Sequence, residues 1–420
     1  MNSAWLLTAP WLLTEAWQLV PHGAVLVHGA TIAASGPAAA VRQAAGREAV
    51  HLDLDDCLLM PGLVNAHCHL ELSALGHLCP ARPTAFIPWV TKLIAAKKKL
   101  AAADYQAAVA AGQEMLLAAG TTTVGDFCSL GLAASHHLVR PRLRQVRFLE
   151  VIGRQAEAEA AVCGELAAAL ERLAAAPGGL VRPGIAPHAP YTVSLARQRR
   201  LLGLARQLNM PYAIHLGESP AEKEYFLTGR GPVSDQLYPL VGWEGLAPEE
   251  KGRDSIDLLL SRNLLGEAIV VHLGTATTTQ LQRLATAGCR PVVCPRSNHN
   301  LGNPLPDVPA LLAAGLQPAL GTDSLASTGS LSLWDEMRFL ADRFPSLAAA
   351  DLLRLATTNG AATLGLDRQL GRLTSGLAAD LIAVRTTSRR PPTPEKLLAA
   401  TGNREIALVM VAGDIKKRPQ

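Results

Sequence analysis

Eight short β-like runs, each followed by helical sequence, fill the middle of this 420-residue chain and constrain its fold more than any other feature. The runs are Leu63 to His69, Thr121 to Phe127, Val146 to Ile152, Val181 to Ala186, Tyr212 to Leu216, Ala268 to Leu273, Pro291 to Cys294, and Pro318 to Gly321. Between them lie Ala/Leu-rich stretches with helical spacing. Ala101 to Ala119 stops at Gly120, and Ala156 to Ala176 stops at Pro177-Gly178-Gly179. Strand–helix alternation repeated eight times is the arithmetic of an α/β fold of the (β/α)8, TIM-like barrel kind. An open doubly wound sheet is the alternative, but it would carry a Gly-rich phosphate loop after an early strand, and the sequence has none.

Both ends of the chain read differently. Residues 1–58 hold short apolar runs (Trp5 to Leu7, Trp17 to Val20, Ala24 to Val27, Thr31 to Ala34) separated by Gly, Pro and Asp turns. Residues 372–420 return to short strands at Leu381 to Val384 and Ile406 to Val411. The two ends are expected to form one small β-sandwich domain beside a catalytic barrel domain spanning 59–371.

Hydrophobic residues make up 49% and charged residues 18%, enough for a sizeable core and too little charge for disorder. The net charge of +4 is spread along the chain, so neither nucleic acid nor a membrane is an expected partner. Lys97-Lys98-Lys99, the densest basic run, reads as a solvated helix face. Seven cysteines, an odd number without a Cys-x-x-Cys pair, fit reduced thiols in a cytoplasmic protein. The N-terminus lacks a basic start and is broken by Pro10 and Glu15, a poor signal peptide. No apolar run reaches the ~18 residues of a membrane span. A small-molecule partner is expected, and a homodimer stays open.

In a barrel the reactive groups sit at the C-terminal strand ends. The first run ends in His67, His69 and Glu71. Strand alternation points His67 and His69 one way and Cys68 the other. The fourth runs into Pro187-His188-Ala189-Pro190-Tyr191, the fifth ends His215-Leu216-Gly217-Glu218, and the sixth ends at His272. The seventh leads into Arg296-Ser297-Asn298, and the eighth into Gly321-Thr322-Asp323-Ser324. Three imidazoles and a carboxylate (His67, His69, His215, Asp323) suit one divalent metal, Zn²⁺ first and Fe²⁺ second, which would make hydroxide available at neutral pH. Glu218 suits a proton shuttle, and His272 could steady the attacking oxygen. Asp323 could also take the water's proton. Substrate contacts are expected from Glu71, Trp89, Arg154, His188, Asn298 and Ser324. Trp89 reads equally as core, and Arg154 reads otherwise as a surface arginine at a helix start. Arg296 and His299 could line the pocket. His77, His136 and His137 read as loop or surface residues.

Together, Asn65-Ala66-His67-Cys68-His69, His215-x-x-Glu218, His272 and Gly321-Thr322-Asp323-Ser324 resemble the amidohydrolase superfamily over nearly the whole chain. The segments Gly360-Ala361-Ala362, Gly371-Arg372-Leu373 and Gly376-Leu377-Ala378-Ala379-Asp380-Leu381 are similar to that family's link into its sandwich domain. The resemblance implies a barrel, one metal, and hydrolysis at an electrophilic carbon. His215-Leu216-Gly217-Glu218-Ser219 and Ala186-Pro187-His188-Ala189-Pro190-Tyr191-Thr192 look like the methylthioadenosine/S-adenosylhomocysteine deaminases. His69 to Ser73, Phe86 to Val90 and Leu331 to Arg338 look most like the aminodeoxyfutalosine deaminases. The implied reaction replaces an exocyclic amine by oxygen, with 6-amino-6-deoxyfutalosine the foremost substrate. Adenosylhomocysteine, methylthioadenosine or adenosine is the alternative, as is triazine- or guanine-type amino- or chlorohydrolysis. One departure is clear: where the adenosylhomocysteine-type enzymes have a ribose-binding glutamate about nine residues after the tryptophan, this chain has Lys98.

Overall fold

The computed structural model describes residues 4–14, 18–46, 48–130, 139–155, 159–174, 179–386 and 390–418. Trp17, His136, His137 and both ends of the predicted helix at Ala156 to Ala176 lie outside the described residues.

The chain opens with β1 (Ala4–Leu13), β2 (Leu19–His28), β3 (Thr31–Pro37), β4 (Val50–Asp53) and β5 (Cys57–Pro61). The barrel strands follow as β6 (Leu63–Cys68), β7 (Thr121–Ser129), β8 (Arg144–Val151), β9 (Val181–Pro187), β10 (Ala213–Leu216), β11 (Ile269–His272), β12 (Arg290–Val293) and β13 (Ala319–Leu320). The chain closes with β14 (Leu381–Arg385), β15 (Ile406–Val411) and β16 (Asp414–Lys417). All eight predicted barrel runs are therefore strands, each within a few residues of its expected place.

Strands β6 to β9 and β10 to β13 form two parallel four-stranded sheets. Parallel bridges close both seams: Ile185 pairs with Tyr212, and Cys68 pairs with Asp323. Backbone bonds reinforce them, from Ile185 N–H to Pro211 C=O at 3.0 Å and from Thr322 N–H to His67 C=O at 3.0 Å. The result is a closed eight-stranded barrel. Its strands are buried on both faces, as parallel strands covered by helices must be. Val64, Ala66, Phe127, Phe148, Ala213, Val271 and Val292 pack together in one cluster, whereas Leu63, Cys68, Val124, Leu149 and Val270 pack in another with helical residues such as Val109 and Leu116.

The outer strands from both chain ends share one mixed sheet in the order β16-β15-β14-β5-β1-β2-β3, with β4 on β1. Its own core includes Leu7, Leu12, Val25, Leu59, Leu381 and Leu408. The link into the barrel is tight. A Cβ on Gly62 would lie 2.1 Å from Thr122 Oγ1, so only glycine lets β5 turn into β6 there.

The helix at Leu333–Arg343 carries the Leu331 to Arg338 segment and fastens these layers together. Trp334 is fully buried and its Nε1 donates to the Ala119 carbonyl at 3.1 Å. Arg338 donates to the carbonyls of Leu398 and Thr401. Glu336 accepts from the Arg296 backbone N–H at 3.0 Å. Burial pushes the Glu336 carboxyl up to about 8, against the pull of nearby Arg296. With the folded value above the unfolded one, folding takes up a proton here. The stabilisation is whole below an unfolded pKa of ~4.5 and is lost as pH rises through about 8. Glu336→Gln is expected to flatten the pH dependence of stability between pH ~6 and ~8 by about 2 kcal/mol. Urea midpoints of variant and wild type at several pH values measure this, and parallel curves would contradict it.

Among the described residues no helix is long and apolar enough to cross a membrane. Cys57, Cys68, Cys128, Cys289 and Cys294 are buried free thiols.

Candidate active site

The C-terminal ends of the barrel strands converge on His67. Its ring lies 4.9 Å from those of His69 and His215 and 5.8 Å from that of His272, centroid to centroid. A register shift between Asn65 and Cys68 re-aims the end of β6, a common use of a bulge beside a reactive site. Asn65 supports the bend: its Oδ1 accepts from the N–H groups of His67 and Thr322, and its Nδ2 donates to Thr322 Oγ1 at 2.7 Å. Cys68 turns to the outer, helix-packed side.

His67, His69 and His215 each present a ring nitrogen within 4.8 Å of the others. Asp323 Oδ1 lies 3.6 Å from Nε2 of both His67 and His69. Asp323 sits at φ +56° in the left-handed region, a cost an Asp residue tolerates where its neighbours fix it. Its Oδ2 accepts from the hydroxyls of Ser297 at 2.5 Å and Ser327 at 2.9 Å, which leaves Oδ1 toward the imidazoles. A Cβ on Gly321 would lie 2.7 Å from the Cβ of His67, so the eighth strand approaches the first this closely only at glycine.

The electrostatics match a metal centre. Burial lowers the His67 pKa to about 3, and burial with neighbouring imidazoles holds His215 well below its usual value. Both rings are neutral lone-pair donors. Burial alone would raise the Asp323 carboxyl, but the surrounding imidazoles outweigh it and keep the group ionised. His67 is fully buried, yet neither ring nitrogen has a hydrogen-bond partner among the described residues. A buried polar atom left so is costly unless a cation takes its lone pair. His215 Nδ1 lies 2.8 Å from the His188 carbonyl and donates to it, which fixes the tautomer and frees Nε2. Three imidazoles and one carboxylate are a donor set for a divalent ion.

Glu218 follows β10 on a turn with Gly217 at φ +61°. Ser219 caps the helix at Pro220–Thr228, with Pro220 in its first turn. Glu222 then reaches back and accepts from the N–H groups of Gly217 and Glu218, at 3.0 and 3.1 Å. Glu218 is buried, with Oε1 3.8 Å from His272 Nε2. Burial, then the negative charges of Asp323 and Glu222, pushes its carboxyl well above the usual range. His272 is itself at φ +80°. Asn298 Nδ2 donates to the Pro304 carbonyl at 2.9 Å, so the amide oxygen is the atom 3.0 Å from His272 Nδ1. His272 therefore donates through Nδ1 and presents a bare Nε2 to the cavity.

A cavity of about 290 Å³ opens over this centre. His69, His215, Glu218, His272, Asp323, Trp89, His188 and Ser324 all line it. Its outer wall is apolar, with Phe86, Leu93, Ile94, Ile152, Val241 and Trp243. Three sequence candidates lie behind the wall. The strand ends at Cys68 and a 3₁₀ turn starts at Leu70, so alternation does not extend to Glu71, whose carboxylate meets Lys97 Nζ at 2.8 Å and Ser129 Oγ at 2.7 Å. Arg154 donates to the hydroxyls of Tyr225 and Tyr238 and to the Ala247 carbonyl, bracing the segment that covers the cavity. Asn298 orients His272. Arg296 is engaged with Glu336 and the Thr328 carbonyl, and His299 packs on Phe339. Lys97 and Glu150 line the cavity without having been singled out. Glu150 was legible as an acid inside an otherwise apolar run at a strand end. Lys97 stands one residue before the noted Lys98.

Comparisons with known proteins agree with this geometry. The amidohydrolase family profile matches residues 58–416. An aminodeoxyfutalosine deaminase from Deinococcus radiodurans is 32% identical over 320 residues, 73% of each chain. A 5-methylthioadenosine/S-adenosylhomocysteine deaminase from Natronomonas pharaonis is 31% identical, over 79% of this chain and 74% of its own. A zinc-bound adenosine deaminase from Xanthomonas campestris superposes with a TM-score of 0.82 at 26% identity, over 99% of this chain and 93% of that one. The chain belongs to the amidohydrolase family.

Proposed function

We propose that this hydrolytic deaminase acts on the adenine base of a nucleoside, with 6-amino-6-deoxyfutalosine the preferred substrate and Zn²⁺ the resident metal. The reading rests foremost on one observation: a buried Glu218, its carboxyl pushed well above the usual range, stands beside a three-histidine, one-carboxylate centre at the floor of a largely apolar cavity. Relatives named for adenine-nucleoside deamination support the substrate class, and the zinc in the Xanthomonas campestris structure supports the metal.

His67, His69, His215 and Asp323 would hold the divalent ion, which supplies Lewis acidity and lets water ionise at neutral pH. The chain's own groups do the rest. Glu218 takes water's first proton and places it on the ring nitrogen next to the amine-bearing carbon as water's oxygen bonds to that carbon. Asp323 takes the water's second proton. His272, held by Asn298, steadies the oxygen by accepting from its O–H through the bare Nε2. The carbon–amine bond then breaks, Asp323 returns the second proton to the amine, which leaves as ammonia, and a carbonyl forms. The apolar wall excludes water and accepts the flat base.

The test is ammonia release, with the ultraviolet change from adenine to hypoxanthine, on adenosine, methylthioadenosine, S-adenosylhomocysteine and aminodeoxyfutalosine. The highest kcat/KM is expected for aminodeoxyfutalosine. No turnover of any of the four by metal-loaded protein would contradict the reading.

A further inference from the structure

The cavity has a second polar face. Glu150 ends β8, is 4% exposed, and lines the cavity. Its Oε1 is buried and has no hydrogen-bond partner among the described residues. The nearest ring nitrogen, His215 Nδ1 at 3.8 Å, already gives its proton to the His188 carbonyl. A buried carboxylate oxygen in this state needs a donor from the ligand. Lys97 also lines the cavity. Its ammonium donates to Glu71 Oε1 at 2.8 Å and to Ser129 Oγ at 3.0 Å, and with three N–H donors it has one more to give.

The pairing of an acceptor with a donor narrows the ligand chemistry: Glu150 brings a carboxyl oxygen and Lys97 an N–H to the same cavity. A group that both donates to Glu150 and accepts from Lys97 is a hydroxyl. A second grouping, Glu150 with His188 and His215, has the spacing of a cation site. The Nδ1 atoms of its two imidazoles are committed, however: that of His215 to the His188 carbonyl, and that of His188 to Thr192 Oγ1 at 2.8 Å.

We propose that Glu150 and Lys97 form a sugar-hydroxyl subsite: Glu150 accepts from one hydroxyl of a ribose diol and Lys97 donates to its neighbour. The inference rests on the nucleoside reading above and names the residues that make the enzyme require a ribonucleoside. Glu71 is the positioning residue that holds Lys97.

The experiment compares kcat/KM for the best substrate of the panel and its 2′,3′-dideoxy analogue, in wild type and Glu150→Gln, with bound metal counted in both proteins. Wild type is expected to prefer the ribose form by on the order of 10- to 100-fold, because an analogue lacking the hydroxyl leaves the buried carboxylate unpaired. In Glu150→Gln the ratio should fall toward one, mostly through KM for the ribose form. Equal kcat/KM for the two sugars in wild type would overturn the subsite and leave the deaminase reading standing. An equal drop on both sugars in Glu150→Gln, or a second equivalent of metal that the variant loses, would also overturn it. No turnover of either sugar would overturn the deaminase reading and this subsite with it. If Glu150→Gln does not fold by circular dichroism, the wild-type ratio and Lys97→Gln carry the same test.

Discussion

His215→Ala is expected to yield a protein that no longer retains a stoichiometric divalent metal after dialysis and loses on the order of 10³-fold or more in kcat/KM. In the proposed metal site His215 is the ligand that bridges the two halves of the barrel. It stands on β10, at the seam opposite the Cys68–Asp323 bridge. Its Nδ1 is committed to the His188 carbonyl, so its Nε2 lone pair has no use in the folded chain other than to a ligand. Removing it leaves two imidazoles and a carboxylate, which hold a catalytic ion less tightly and in another geometry. Elemental analysis of the dialysed variant, with a thermal melt in the presence and absence of added metal, separates lost ligation from lost folding. Full metal occupancy with activity within a few-fold of wild type would contradict the assignment.

Glu218→Gln is expected to keep the metal and the fold and to lose about 10²- to 10⁴-fold in kcat, the usual worth of a positioned acid–base group. The substitution preserves shape and replaces a carboxyl that burial and its acidic neighbours already push toward the neutral form. It is therefore expected to leave the melting temperature nearly unchanged while removing the group that carries a proton to the ring nitrogen in the proposed mechanism. KM should change little. A variant that is as active as the wild type would remove Glu218 from the mechanism, whatever becomes of the metal site.

Much of this site is readable from the sequence because barrel geometry turns chain position into spatial position. Polar residues at eight strand ends must share one rim. His67, His69, His215, Glu218, His272 and Asp323 are legible in that way. The groups that orient them are harder to see, since nothing in local pattern marks a partner distant in the chain. Glu222 pins the Glu218 turn four residues back along a helix, which no strand rule anticipates. Ser297 and Ser327 aim Asp323 from separate loops. Glu71 shows the opposite limit. Alternation by twos holds only while the strand lasts, and the backbone leaves it at Cys68, so the side chain turns to Lys97 instead of the cavity. Lys97 itself read as part of a solvated basic face because its partner acid lies 26 residues earlier in the chain.

The account stands on a single cation shared by four side chains, and anomalous diffraction from crystals of zinc-loaded protein, collected at the metal edge, addresses it most directly. One peak is expected, about 2.0–2.2 Å from a ring nitrogen of each of His67, His69 and His215 and from Asp323 Oδ1. A peak elsewhere, or bound zinc that leaves any of these four uncoordinated, would contradict it.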